Sequence, residues 1–246
     1  MMNRTGSQHL PPVRSVLAVC AHPDDESFGL GAVLDRFAAE GAKVAVLCFT
    51  CGEASTLGAG DAQLEVALGE VRRAELTCAA DALGVSRVQL LDHPDGALAS
   101  ESLDDLAAEV TRLAQEVEAD VLLVFDEGGV TGHPDHCRAT EAAMAGAPAL
   151  PALAWAIPHR VAESLNEEFG TRFVGRPPEE IDVVLQVDRE PQARAVACHV
   201  SQCVDNPVLE RRLSLLGDAE WLRWLRPPPR QAQGNRHLRR PVTPTA

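Results

Sequence analysis

Four short apolar runs, separated by segments of helical periodicity, leave this chain very few architectures. Residues 15–20 (SVLAVC), 43–50 (KVAVLCFT), 87–92 (RVQLLD) and 121–126 (VLLVFD) are rich in Val and Leu, as buried parallel strands are. Between them apolar residues recur every three or four positions. Leu30, Leu34 and Phe37 form one such stripe, Leu64, Leu68 and Val71 a second within 63–83, and Leu103, Leu106, Val110, Leu113 and Val117 a third within 102–118. This alternation predicts right-handed βαβ crossovers, hence an α/β, Rossmann-like, doubly wound, mostly parallel sheet with helices on both faces. Further on, 153–157 and 181–187 read as weaker strands, and 135–145, 190–203 and 209–225 as helices. Residues 163–178 are expected to form a lid or insertion over the site. The organisation is one domain over 15–226, preceded by a flexible lead, 1–14, and followed by a disordered Pro/Arg-rich tail, 227–246.

The 246 residues suffice to bury one substantial core. A net charge of −14 argues against nucleic acid or an anionic membrane as partner, since both select a basic surface. Seven cysteines, an odd number, predict free thiols in a reducing cytoplasm. No run approaches the ~18 apolar residues of a membrane span, so a soluble cytoplasmic protein is expected, and a homo-oligomer is compatible with it.

The chemistry concentrates at two strand ends. Residues 21–26 (AHPDDE) close the first run and open a helix that Ser27 is able to cap, while 132–136 (GHPDH) follow the fourth run. Open α/β sheets place their sites at the carboxyl ends of strands. His22 and Asp25, three apart across a strand-to-helix turn stiffened by Pro23, are suited to grip one ion. A third ligand must come from elsewhere, with His133 and His136 the candidates. Of Asp24 and Asp25, one is free to ligate while its neighbour reaches the water on the ion. Such an ion lowers the pKa of its water to about 7. The spare carboxylate then moves the proton and the spare imidazolium steadies an oxyanion, a set suited to amide or ester hydrolysis with a bell-shaped pH profile. Taken singly, either cluster reads equally as a solvated turn; following two strands of one sheet, they support each other. Gly29 and Gly31 read as close-packing positions, because the strand does not end in a glycine turn.

With these residues in view, AHPDDE at 21–26 and GHPDH at 132–136 resemble the zinc-dependent deacetylases that include LmbE-like proteins and the PIG-L N-acetylglucosaminyl deacetylases. The resemblance spans about residues 14–205. Bacterial members deacetylate glucosaminyl precursors of mycothiol and bacillithiol. It implies His22, Asp25 and His136 as ligands of Zn2+, with Fe2+ compatible with the same set. It implies Asp24 as general base and His133 as the group that stabilises the oxyanion and is able to protonate the leaving amine. Arg72, in an RxxE segment, corresponds to a sugar-contacting arginine, or else to a solvated helix face with an Arg–Glu pair. Asp95 corresponds to a sugar-contacting aspartate, or else to a plain Pro-Asp-Gly turn. His199, in HVSQ, corresponds to a late motif serving structure or the ligands' surroundings. Some relatives use a tyrosine near the second motif; this chain has none, and Thr131 stands as the candidate for that place. The implied function is removal of an acyl group, acetyl foremost, from the amide nitrogen of a small amino-sugar conjugate. The alternatives are an amidase on a non-sugar metabolite and a non-catalytic Rossmann-like binding protein.

Overall fold

The apolar runs become the strands expected of them. The computed structural model describes residues 7–55 and 62–229. Its strands are β1 (Ser15–Cys20), β2 (Lys43–Thr50), β3 (Arg87–His93), β4 (Val121–Phe125), β5 (Ala152–Pro158), β6 (Gly175–Arg176), β7 (Val183–Gln186) and β8 (Ala219–Arg226). The helices are α1 (Asp25–Phe28), α2 (Gly31–Ala39), α3 (Ala62–Ala82), α4 (Leu103–Glu116), α5 (Pro134–Gly146), α6 (His159–Phe169), α7 (Glu190–Cys198), α8 (Val200–Cys203) and α9 (Pro207–Leu216). The sheet order is β3-β2-β1-β4-β5-β8-β7, with β6 pairing β5. The first five strands and β6 run parallel, and β8 and β7 close one side in antiparallel fashion.

Every residue of β1 and β4 is buried, because helices cover both faces. Val16, Ala18 and Cys20 meet the layer containing α2, α3, α6, α7 and α9. Leu17 and Val19 meet α4 and α5 on the other side. From β1 the chain winds outward to β2 and β3, then returns to place β4 on the opposite flank of β1. The crevice at that reversal, beyond the carboxyl ends of β1 and β4, is where such sheets accommodate ligands. Both motifs lie there.

Several local expectations are corrected. The helix expected over 209–225 stops at Leu216, where Gly217 adopts φ 57° and ψ −140°. From Ala219 the chain is strand β8, with Glu220 and Leu222 buried between less buried neighbours, a period of two that the apolar count alone conceals. The helix expected over 190–203 is broken at His199, whose φ −86° and ψ 59° interrupt the run. Instead of a lid, residues 159–169 form α6 against the sheet, and Phe173 beyond it borders the cavity. In α3 Val71 is 47% exposed, and the inward stripe is Arg72, Glu75, Leu76, Ala79 and Leu83, because this helix covers the site as well as the core.

The lead is anchored over residues 7–14. Ser7 donates to the Asp182 carbonyl and accepts from Val184, and Leu10 is buried. The expected flexibility of 1–6 and disorder of 230–246 fall outside the described residues. Cys78 and Cys198 form a disulfide with Cα atoms 5.8 Å apart, contrary to the expectation of free thiols throughout. The packing of α3 on α7 brings together two cysteines 120 positions apart, a pairing that spacing does not announce. Among the described residues no helix is long and apolar enough to cross a membrane.

Candidate metal centre and the cavity around it

At the switch point the turn after β1 folds tightly back on itself. One Asp25 carboxylate oxygen accepts the backbone N–H groups of Ala21 and His22, at 2.9 and 3.0 Å. Its other oxygen lies 3.1 Å from His136 Nε2. His136 Nε2 is in turn 3.3 Å from His22 Nδ1, which stands 3.8 Å from the Asp25 carboxylate. His22, Asp25 and His136 therefore meet at one point, all buried.

The outer atoms settle which ring nitrogens face inward. His136 Nδ1 lies 3.0 Å from the Gly129 carbonyl, which only accepts, so Nδ1 carries the proton and the lone pair of Nε2 points into the cluster. Thr131 Oγ1, also 3.0 Å from Nδ1, supports the same ring, so the residue considered for the tyrosine's place braces an imidazole. The carboxylates of Asp95 and Asp135 lie 3.1 and 3.4 Å from His22 Nε2 and draw its proton outward. Once the inward Nδ1 proton of His22 is displaced, two imidazole lone pairs and a carboxylate oxygen face one another, an arrangement that a divalent cation satisfies. The cluster fits a metal ion. His133 extends the possibilities, since ring nitrogens of His22, His133 and His136 also lie within 4.8 Å of one another.

Electrostatics follow from this crowding. Burial opposes charge on His22, but the carboxylates of Asp135 and Asp95, with Asp25 nearby, outweigh it and lift the imidazole to about 10. Burial likewise opposes ionisation of Asp25, and His136 and His22 overcome it, holding that carboxyl well below the usual range. Asp24 behaves oppositely. Burial pushes it up, Arg72 resists and Asp25 adds to the rise, leaving it above an ordinary carboxylate. His133 is held below its ordinary value by burial and by the neighbouring His22 and His136, so the imidazolium expected there is disfavoured. His133 caps α5 by accepting the Asp135 N–H at Nδ1, which leaves Nε2–H as a donor for the cavity.

Asp24 stands beside the donor trio without belonging to it. Its φ of 129° lies where L-residues are rarely found, a strained conformation that surrounding contacts must impose. Four contacts do so. The Asp24 carboxylate accepts Arg72 Nη2 at 2.8 Å, and the same guanidinium holds the Pro23 carbonyl and, at 2.6 Å, that of Gly52. Glu26 accepts the Asp24 N–H at 2.9 Å. Gly52 has φ +68°, and a Cβ there would sit 2.1 Å from the Arg72 guanidinium, so only glycine allows this approach.

Arg72, 3% exposed, is thus no solvated surface residue, and Glu75 pairs with the Ser201 N–H and hydroxyl instead of with it. Asp95 lies in a turn, its carboxylate against His22 Nε2 and the Ala54 N–H. His199 is fully buried against Glu26, 2.6 Å from its carboxylate, which explains why it interrupts the helix. Gly29 and Gly31 pack as expected: a Cβ on Gly29 would lie 2.7 Å from Phe125 and one on Gly31 3.0 Å from Gln192.

A cavity of about 480 Å³ opens over this cluster, within the range of small-molecule sites. His22, Asp24, Asp25, Arg72, Asp95, His133 and His136 all border it. Three further residues escaped the sequence reading. Asp135 is fully buried and anchors the turn after β3 by accepting Gly96 and Leu98 N–H. Glu26 positions Asp24, and Arg212 of α9 reaches the cavity wall. Asp135 and Glu26 stand inside the two motifs, so adjacency was available as a signal; nothing in the sequence distinguishes Arg212 from the arginine before it.

The GlcNAc-PI de-N-acetylase (PIG-L) family profile matches residues 17–147, a stretch containing both clusters. The chain belongs to the PIG-L family. Among curated proteins it is 35% identical over 164 residues to the 1D-myo-inositol 2-acetamido-2-deoxy-alpha-D-glucopyranoside deacetylase of Kineococcus radiotolerans, covering 56% of this chain and 45% of that one. It is 37% identical over 175 residues to the protein of the same description from Streptomyces griseus, covering 62% and 54%. The chain spans about half the length of the curated relatives it matches. Solved structures with this fold include the N,N'-diacetylchitobiose deacetylase of Pyrococcus horikoshii, with TM-score 0.65, 21% identity and 87% and 84% of the two chains covered. They also include the 4-carboxy-2-hydroxymuconate hydratase of Pseudomonas putida, with TM-score 0.69, 18% identity and 89% and 99% covered. Deacetylases and a hydratase share this PIG-L-like fold, so function must be argued from the site.

Proposed function

We propose that this protein is a metal-dependent N-deacetylase that removes an acetyl group from a small N-acetylglucosaminyl conjugate. The observation that carries the reading is the division of labour around residues 22–25. Three inward-facing donors form an ion cradle, while a fourth group, Asp24, is held next to them by Arg72 and Glu26. Family membership and 35–37% identity to named amino-sugar deacetylases support it.

In this reading His22, Asp25 and His136 hold the ion, and zinc is the metal their nitrogen and oxygen atoms suit, with ferrous iron compatible. When bound, the ion supplies a Lewis acid for the acyl carbonyl and an activated water. Asp24 takes the proton of the attacking water, and its raised affinity for protons makes it a stronger base than an ordinary carboxylate. The same carboxyl then returns that proton to the departing amine. His133, donating through Nε2–H, steadies the charge that develops on the carbonyl oxygen. Arg72 and Asp95 border the cavity where the sugar is to lie.

The test is acetate release from a panel of N-acetylglucosaminyl conjugates and non-sugar acetamides by zinc-reconstituted protein. Turnover confined to the sugar conjugates is expected. Failure to bind zinc, or release of acetate from none of the panel, overturns the reading. The pH profile gives a second check. Because Asp24 must be ionised to act, kcat/KM falls on the acid side with a midpoint above the ~3.9 of a free aspartate. A midpoint at or below that value removes Asp24 from the role of base.

A further inference from the structure

The unexplained group in the cavity wall is Arg212. It is 5% exposed, yet among the described residues no carboxylate lies within 4 Å of its guanidinium, and its Nε has no hydrogen-bond partner. Nη2 donates to the Phe28 carbonyl at 2.6 Å. Glu220, the acid whose charge acts on it most, is already engaged by Arg189 and by Trp155 Nε1–H. Burial pulls Arg212 down to about 10, the mark of a positive charge short of a counter-ion. A buried charge without a partner is costly, and sites that keep one have a partner to supply.

Its position tells what that partner is attached to. The guanidinium lies 5.2 Å over the Trp155 ring; Trp155 packs 5.1 Å from Phe125, and Phe125 4.7 Å from His136. Arg212 therefore stands two buried aromatic rings from His136 and borders the same cavity as the ion cradle. Asn206, the N-cap of α9, and Leu209 and Arg212 within the helix all border the cavity, so the N-terminal part of this ten-residue helix faces the same space.

We propose that Arg212 forms an anion subsite in the cavity, so that the conjugate carries a carboxylate or phosphate on the group linked to its amino sugar. The proposal rests on the deacetylase reading and narrows its substrate class. A guanidinium presents paired N–H donors that match the two oxygens of either anion.

The experiment uses N-acetylglucosaminides that differ only in the linked group: a carboxyethyl group, its methyl ester, and a phosphoethyl group. Acetate release and dissociation constants are measured for zinc-loaded wild type, Arg212→Lys and Arg212→Met. Wild type is expected to favour the carboxylate over its ester by at least about tenfold in both readouts. That ratio falls partway in Arg212→Lys and to near one in Arg212→Met, whatever happens to the absolute rates. The phosphoethyl arm identifies which anion is preferred. An acid-to-ester ratio near one in wild type overturns the proposal even if Arg212→Met does not fold, and so does an undiminished ratio in a folded Arg212→Met. If nothing is deacetylated by any of the proteins, the deacetylase reading fails, and the dissociation constants alone decide the subsite by the same ratio.

Discussion

Replacing Asp24 by Asn is expected to lower kcat by about 10²- to 10⁴-fold, the usual weight of a positioned general base, while zinc content stays at the wild-type level. The two halves of this expectation come from different atoms. Turnover falls because the amide cannot accept a proton from water. The ion stays because, in the proposed reading, His22, Asp25 and His136 hold it, and the Asp25 oxygen that fixes the turn accepts from Ala21 and His22, not from Asp24. Asn is the informative choice because it tolerates positive φ better than most residues and retains an oxygen for Arg72 Nη2, so the strained turn survives the exchange. Elemental analysis and steady-state kinetics on one preparation supply the check. Near-wild-type turnover would mean that another group takes the proton. Loss of zinc alongside turnover would mean that Asp24 is a ligand, and the division of labour argued for residues 22–25 would collapse.

The difference between what the sequence announces and what it hides follows from range. His22, Asp25 and His136 are legible because strand ends are legible: an apolar run that stops in His-Pro-Asp fixes where those side chains emerge, and sheet topology does the rest. The proton positions on the two imidazoles are not legible, since they depend on the Gly129 carbonyl and on Asp95 and Asp135, which approach from separate loops. The stripe of α3 was misjudged for a related reason. Periodicity marks Val71 as inward, but the helix turns Arg72 inward to the cavity and Glu75 inward to Ser201, and buried ionic residues count against burial in any apolar tally. β8 fails as a helix because Glu220 belongs to the buried face, where Trp155 Nε1–H supplies its partner 65 positions away. Each miss is a polar group whose partner lies far along the chain.

The pair formed by Glu26 and His199 shows what such a distant partner contributes. Replacing Glu26 by Leu is expected to destabilise the fold by about 3–5 kcal/mol, because it strands the other half of a buried ion pair. Both side chains are fully buried, and the Glu26 carboxylate accepts from His199 Nε2 and Ser27 Oγ, each at 2.6 Å, and from the Asp24 N–H at 2.9 Å. Burial opposes charge on His199, but Glu26 overcomes it and raises the imidazole above its usual value. A histidine raised on folding stabilises fully below the ~6.5 of the unfolded chain and loses that contribution as pH climbs through the raised value. The penalty of Glu26→Leu, measured by urea denaturation, is therefore largest in mildly acidic buffer and smaller in alkaline buffer. Turning both residues to Leu removes the stranded charge, so much of the stability should return. Turnover should not return with it, because the Asp24 N–H still lacks the acceptor that helps hold its strained turn. A double variant that regains kcat together with stability would reduce this pair to a packing element and leave Arg72 alone in charge of Asp24.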